Sequence, residues 1–502
     1  MLNISQSSWR SVSLSVLMMI TTSVSSQINS ALTTEIDEAL KSRCLNSNQT
    51  AVSVVQVPEG KVIYSRNVQT PLLPASIMKI ITTATALHYL GPEYRFTTQF
   101  LYTGKRIGRV IQGDLVVRGG GDPKLSSEQL WSIATRIKAS GVNEITGNLV
   151  IDTHFFDGYD RAPAWDDEGT TQRAYDAKLS PFSINFNTIA VYVSPGVAVG
   201  APLNISLDPA QTYIQAQNLG KTTRGGRYTI SVSRNHESLA NQASAMSDGV
   251  AEEIYVRGSL PVGAKEQVVY LSVNNPTRYA AETFRAFLQQ AGVKMNGSIQ
   301  ITSTPVVGTE LYNHTSSSLS LILKDLNTYS NNFTAEQIIK TIAADRYGAP
   351  GSHAEGLRLS MDFLRLLRID TQNLTLVDGS GLSRKNRFTA KAMTDLLAAM
   401  YPRFDTGPDF LASLRVMGAY GVLSNRLSNS PAHGQIRAKT GSLSGVSTLA
   451  GYVASHTGQL FAYALFENQN QCGYTGADRI EDRIITAIHN YGGTSAGSVA
   501  QK

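Results

Sequence analysis

The chain has 502 residues, 42% hydrophobic and only 16% charged, with 44 Lys+Arg against 38 Asp+Glu. The length suits about three domains, the charged fraction lies below the ~25% of average globular chains, and no run of five like charges offers a polybasic nucleic-acid arm. Two cysteines exclude a disulfide-rich scaffold and a Cys-based zinc ribbon, and eight scattered histidines show no ligand spacing, so neither metal nor cofactor is expected.

Residues 1–26 carry one charge, Arg10, then the apolar run Leu14–Ile20 and small polar residues to Ser26. That order reads as a secretory leader with cleavage after Ser26. The apolar run is shorter than the roughly 20 residues a membrane span needs, and no other segment reaches that length, so the mature chain is expected to lack a transmembrane segment. Export makes a disulfide chemically permissible. Cys44 and Cys472 lie near opposite ends of the mature chain and either bridge those ends or remain unrelated thiols.

After the leader, Thr33–Cys44 reads as a short amphipathic helix, and Ala51–Val57 with Lys61–Ser65 as a hairpin turning at Pro58-Glu-Gly60. Pro74 can open a helix and Gly91 can stop it. Between them Ile77, Ile80, Ile81, Ala84, Leu87 and Leu90 are apolar on more than one face, as in a buried central helix. Residues 126–152 and 276–302 then echo one another: a helical stretch, a Gly-Val turn, a glycine and a strand. Such an echo suggests one α/β domain, 96–195 and 263–305, whose halves flank a nested β domain at 196–262. From about 306 the pattern reads as helices with short connections. It ends in a hairpin, Val446–Ala454 with Gly458–Glu467, a helix Ala477–Tyr491, and a tail over 492–502 expected to be disordered.

Three polar triplets carry the chemistry. Ser76-Ile-Met-Lys79 opens the central helix, so the hydroxyl and the amine share one face at i and i+3. The first turn also offers unpaired backbone N–H groups to an oxyanion, and apolar neighbours lower the proton affinity of a lysine enough to make it a base. Ser330-Asn331-Asn332 lies between two helices, where Asn332 or Thr334 could equally serve as an ordinary cap. Lys439-Thr440-Gly441 precedes the last hairpin and could equally be a strand end with a solvated lysine. Singly each triplet is weak.

In this order, however, Ser-x-x-Lys, Ser-x-Asn and Lys-Thr-Gly form the active-serine signature of penicillin-binding proteins and serine β-lactamases. With Pro74-Ala75, Tyr94–Thr98, Gly113–Pro123, Tyr329, Asp378–Arg384 and Ser442-Leu443 around them, the chain resembles the class C low-molecular-mass penicillin-binding proteins over about residues 50–490. These are exported D-alanyl-D-alanine carboxypeptidases/endopeptidases of peptidoglycan. The resemblance implies an α/β (α+β) fold: a β-lactamase/transpeptidase-like domain, 27–95 and 306–491, split by a large insertion of two nested smaller domains. About 250 residues separate the first two motifs, as that insertion requires. Gly119-Gly-Gly-Asp-Pro123 is then a structural turn, since it lacks the Gly-Lys-Ser/Thr ending of a phosphate-binding loop.

The resemblance also implies roles. Ser76 attacks the carbonyl of a D-alanyl peptide and Lys79 accepts its proton. The N–H groups of Ser76 and Ser442 hold the oxyanion, such donors being worth about 3 kcal/mol each. Ser330 relays a proton to the leaving amine, and Asn332 orients Lys79 and the substrate amide. Lys439 and Thr440, with Gly441, receive the terminal carboxylate, and the charge of Lys439 helps to keep Lys79 neutral. Arg384 faces the substrate side chain or is an ordinary surface arginine, and Asp176 matches the family too loosely for a role. The expected partners are peptidoglycan peptide stems and, as covalent inhibitors, β-lactams, in the periplasm. A serine β-lactamase and a non-catalytic wall-binding scaffold are the rival readings.

Overall fold

A computed structural model describes residues 31–165, 172–211, 213–234, 252–418 and 426–492. The expected leader, cleaved after Ser26, and all of the expected tail but residue 492 lie outside them. The described residues fall into two compact units, the first within Met1–Ala84, Met361–Leu376 and Arg384–Lys502, the second within Thr85–Ser360 and Val377–Ser383.

The first unit is built on a six-stranded antiparallel sheet in the order Arg415–Val416, Ile436–Leu443, Val446–Ala454, Leu460–Asn468, Thr50–Val57, Lys61–Arg66. The two hairpins read from the sequence form, and they join: Thr50–Val57 pairs with Leu460–Asn468 from Thr50↔Glu467 to Val57↔Leu460. Val446–Ala454 and Leu460–Asn468 are buried along nearly their whole length, as befits strands covered on both faces. One face carries Val52, Val54, Leu449 and Leu465, packed with Ile36, Leu40, Ile480, Ile484 and Ile488. These last come from a helix over 31–40, shorter than the expected Thr33–Cys44, and from helix Gly473–His489. Against the other face lies helix Ala390–Met400, where Thr394 Oγ1 meets Ser53 Oγ at 2.8 Å and Leu397 O accepts from the Tyr452 hydroxyl at 2.6 Å. Cys44 and Cys472 are bridged, tying the end of the first helical segment to the start of the last.

In the second unit the two echoing segments lie side by side. Ile299–Thr302 pairs in parallel with Leu149–Asp152, and Lys294–Met295 with Glu144–Ile145. Their helices, Ser127–Ala139 and Pro276–Gln290, are capped by Ser126 and Asn275, and both turn glycines, Gly141 and Gly292, take the left-handed conformation that ends a helix. The larger sheet runs Ile299–Thr302, Leu149–Asp152, Leu115–Arg118, Thr97–Tyr102, Thr309–Thr315. Its last strand corrects the expectation of helices from about 306. Thr309–Thr315 is an edge strand with mostly exposed side chains, so it has no apolar run to announce it. Within 196–262, Gly225–Val232 is also less regular than expected. The glycine pair bends, and pairing covers only Ser231–Arg234, against Glu252–Pro261. Gly119 and Gly120 do make a packed turn: a Cβ would stand 2.4 Å from the Pro181 carbonyl at the first and 2.0 Å from Thr97 O at the second.

Candidate active site

Pro74 opens a single 3-10 turn, Ala75–Ile77, that runs into α-helix Met78–Tyr89. Ser76 sits in that turn, half-buried, and Lys79 lies one turn on with its neighbours Met78, Ile80 and Ile81 all fully buried. Lys79 is 0% exposed, and its Nζ donates to Ser76 Oγ at 3.1 Å. An amine held against a hydroxyl in a water-poor setting is the geometry by which a lysine removes the proton of an attacking serine.

Strand Ile436–Leu443 carries the third triplet in the same unit. Side chains alternate along a strand, so Lys439 and Gly441 face one side, and the register places Thr448 directly opposite Gly441. A Cβ at Gly441 would lie 2.7 Å from Ser76 N and 3.0 Å from Pro74 O. Only glycine lets this strand approach the serine's amide so closely. Lys439 is not the solvated lysine of a strand end: it lies inside the strand, 2% exposed, and its Nζ donates to Thr440 O at 2.7 Å. Burial, with repulsion from Lys79 and Arg415, pushes its ammonium well below the ordinary lysine range. Lys79 and Lys439 thus stand close enough to repel one another as cations. Thr440 is half-buried and Ser442 exposed in the same strand.

Arg384 is half-buried and donates through Nη2 to Ser444 O at 2.9 Å. With Arg387, Ser444, Gly445, Leu73 and Asn468 it lines a cavity of about 220 Å³.

Ser330 and Asn332 belong to the second unit. Ser330 ends helix Leu319–Tyr329 in the left-handed conformation, φ 56° and ψ 38°, with its N–H on Leu326 O. Neither Asn332 nor Thr334 caps the following helix: Asn331 does, its Oδ1 accepting from Thr334 N at 2.8 Å. Asn332 is buried, and its Nδ2 donates to Tyr175 O at 3.0 Å. Asp176 is held by Arg161, whose Nη2 donates to Oδ1 at 2.7 Å.

Sequence reasoning missed several supports. Glu336, fully buried in helix Asn332–Tyr347, accepts from Gly379 N at 3.0 Å and Ser380 N at 2.8 Å. Asp378 accepts from Gly381 N and Ser383 N, each at 2.7 Å, and from Trp165 Nε1 at 2.9 Å. The loop before Arg384 is thus fixed by two buried carboxylates. Arg415, at the sheet edge beside Ala438, had no signal. Thr448 and Asn468, which reach the chain just before Ser76, had none either, being almost 400 residues away.

Comparison with known proteins gives the same frame. A D-alanyl-D-alanine carboxypeptidase of Actinomadura sp. (strain R39) is 34% identical over 480 residues, covering 92% of this chain and 85% of its own. The carboxypeptidase DacB of Haemophilus influenzae is 29% identical over 424 residues, 84% of this chain and 85% of that one. The crystal structure of penicillin binding protein 4 (dacB) from Haemophilus influenzae superimposes with a TM-score of 0.75 at 25% identity, covering 91% of this chain and 98% of that one. A complex of the same protein with a β-lactam gives 0.72. The α/β transpeptidase-like fold is therefore shared with that protein. The D-Ala-D-Ala carboxypeptidase 3 (S13) family matches residues 32–487, nearly everything described above, and the chain belongs to that family.

Proposed function

We propose that this serine-type D-Ala-D-Ala carboxypeptidase/endopeptidase works through an acyl-enzyme on Ser76. The observation that carries the assignment is Lys79 Nζ at 3.1 Å from Ser76 Oγ within a buried setting. Lys79 takes the hydroxyl proton as Ser76 attacks the D-alanyl carbonyl. The amides of Ser76 and Ser442 receive the oxyanion. Lys439, Thr440 and Gly441 receive the terminal carboxylate, whose negative charge favours the ammonium form of Lys439 against the effect of its burial. Ser330 is assigned the proton relay to the leaving amine, and Asn332 the orienting of the substrate amide, both on motif order. Arg384 is assigned to the acyl-side substrate chain. Water then releases the shortened stem, while a β-lactam leaves slowly.

The domain reading accompanies this assignment: a catalytic domain from 27–95 and 306–491, apart from strand Thr309–Thr315, which pairs with Thr97–Tyr102, an inserted α/β domain from 96–195 and 263–305, and a nested β domain at 196–262. Pairing of the two echoing segments in one sheet supports it. The Cys44–Cys472 bridge supports export to an oxidising compartment, the periplasm, where peptidoglycan stems are the substrate. Among the described residues no helix is long and apolar enough to cross a membrane. The test is incubation of the purified protein with crosslinked muropeptides, followed by mass. Loss of terminal D-alanine, splitting of the crosslink, or both is expected. Unchanged muropeptides with rapid hydrolysis of penicillin would establish a β-lactamase instead, and inertness to both a scaffold.

A further inference from the structure

Residues 72–75, the approach to Ser76, are held in an unusual way. Leu72 makes a two-bond bridge with Phe388, N to O and O to N, each at 2.9 Å. Leu73 makes the same pair of bonds with a side chain: its N–H donates to Asn468 Oδ1 at 2.7 Å, and Asn468 Nδ2 donates to its carbonyl at 3.1 Å. Pro74 has no N–H, and its carbonyl accepts from Thr448 Oγ1 at 2.8 Å. Ala75, next in line and fully buried, takes φ 47°, a left-handed conformation that a residue with a Cβ disfavours. Three consecutive residues are each fastened by a different element directly before a strained one, and the strained one precedes the serine.

The two fastening side chains are themselves buried. Asn468 is 3% exposed and Thr448 is 1% exposed. They lie on neighbouring strands and, by the register Val446↔Asn468 and Thr448↔Phe466, on the same face of the sheet. Gly441 opposes Thr448 on that face. The strand that carries Ser442 and the loop that carries Ser76 are therefore indexed to one another through Thr448, and a Cβ at Gly441 would fall 2.3 Å from its Oγ1.

We propose that Asn468 and Thr448 are positioning residues for acyl transfer: they set the backbone of Leu73–Ala75, and through it the distance between the Ser76 amide and hydroxyl and the Ser442 amide. The inference rests on the reading of Ser76 as the acylated serine. A displacement near 1 Å at reacting atoms can lower a rate about a hundred-fold without loosening binding. The pair should therefore act on the chemical step and leave recognition of the substrate carboxylate alone.

The experiment is stopped-flow acylation by benzylpenicillin, resolving the dissociation constant of the first complex from the acylation rate constant. It is run on the full chain with Thr448→Val, Thr448→Ser, Asn468→Ala and Ser76→Ala. Thr448→Val and Asn468→Ala should each lower the acylation rate constant about 10- to 100-fold, with the dissociation constant little changed. Thr448→Ser, which keeps the hydroxyl, should acylate close to the wild-type rate. A wild-type rate constant in both Thr448→Val and Asn468→Ala overturns the proposal. So does a Thr448→Ser variant as slow as Thr448→Val, since then bulk and not the hydrogen bond is at issue. Failure of the underlying reading shows separately, as undiminished acylation of Ser76→Ala.

Discussion

The amine nitrogen of Lys79 stands 3.1 Å from the hydroxyl oxygen of Ser76, and the lysine side chain has no exposed surface. General-base assistance contributes about 10²–10⁴ in rate, so Lys79→Met should lower acylation by β-lactam or depsipeptide substrate by that order. Far-UV circular dichroism should be unchanged, since the helix keeps a good helix former. An acylation rate within a few-fold of wild type would assign the base elsewhere.

The close approach of strand Ile436–Leu443 to Ser76 gives a second outcome. At Gly441 a single added methyl would meet Thr448 Oγ1 at 2.3 Å and Ser76 N at 2.7 Å. Overpacking of this kind costs about 1–3 kcal/mol. Gly441→Ala should therefore lower the unfolding midpoint and slow acylation at least ten-fold. Calorimetry and pre-steady-state acylation read the two effects. A variant with wild-type midpoint and rate would mean that the strand stands farther away.

The bridge between Cys44 and Cys472 spans a sequence separation of 428 residues. Its loss frees a very long loop in the unfolded state, and removing a native disulfide costs about 2–5 kcal/mol. Cys44→Ser with Cys472→Ser should show that loss in denaturant, with early proteolysis near the helix over 31–40. Non-reducing mass spectrometry of the wild type should find no free thiol, and two free thiols would contradict the bridge.

A buried carboxylate in the second unit sets a pH dependence. Asp122 is 2% exposed; its Oδ1 accepts from Lys124 N at 2.8 Å, while Oδ2 has no hydrogen-bond partner and lies 3.8 Å from His314 Nε2. Burial pushes it up to about 6, against the pull of Lys124. Its folded form thus holds a proton that the unfolded chain sheds near 3.9. The associated stability is complete below that pH and is lost as pH rises through about 6, roughly 3 kcal/mol in all. His314 slopes the other way: burial lowers its proton affinity, so its contribution is present above its ordinary range and lost as pH falls. Comparing wild type with Asp122→Asn isolates the carboxylate. The variant should gain on the wild type between pH 4 and pH 7, and a constant difference across that window would contradict the assignment.

What was legible in the sequence was what depends on near neighbours. Ser76 and Lys79 meet because helices bring i and i+3 together, and the hairpins at Pro58–Gly60 and His456–Gly458 announce themselves by their turns. The burial of Lys439 was not legible: it reads locally as a strand-end lysine, yet it is 2% exposed, with Lys79 and Arg415 close enough to repel its charge. Long-range supports were invisible for the same reason. Nothing near Asn468 in the sequence says that it will bond Leu73, 395 residues away. Glu336 looks like any helical glutamate until its carboxylate is found beneath Gly379 and Ser380. Edge strand Thr309–Thr315, whose side chains stay largely in water, lacks the apolar pattern by which strands are found.

The nucleophile is tested most directly by treating wild type and Ser76→Ala with benzylpenicillin and mapping the adduct by peptide mass spectrometry. One adduct on Ser76 in the wild type, and none in the variant, is the predicted result. An adduct on another residue, or an unlabelled wild type that still shortens D-alanyl-D-alanine stems, would contradict the account.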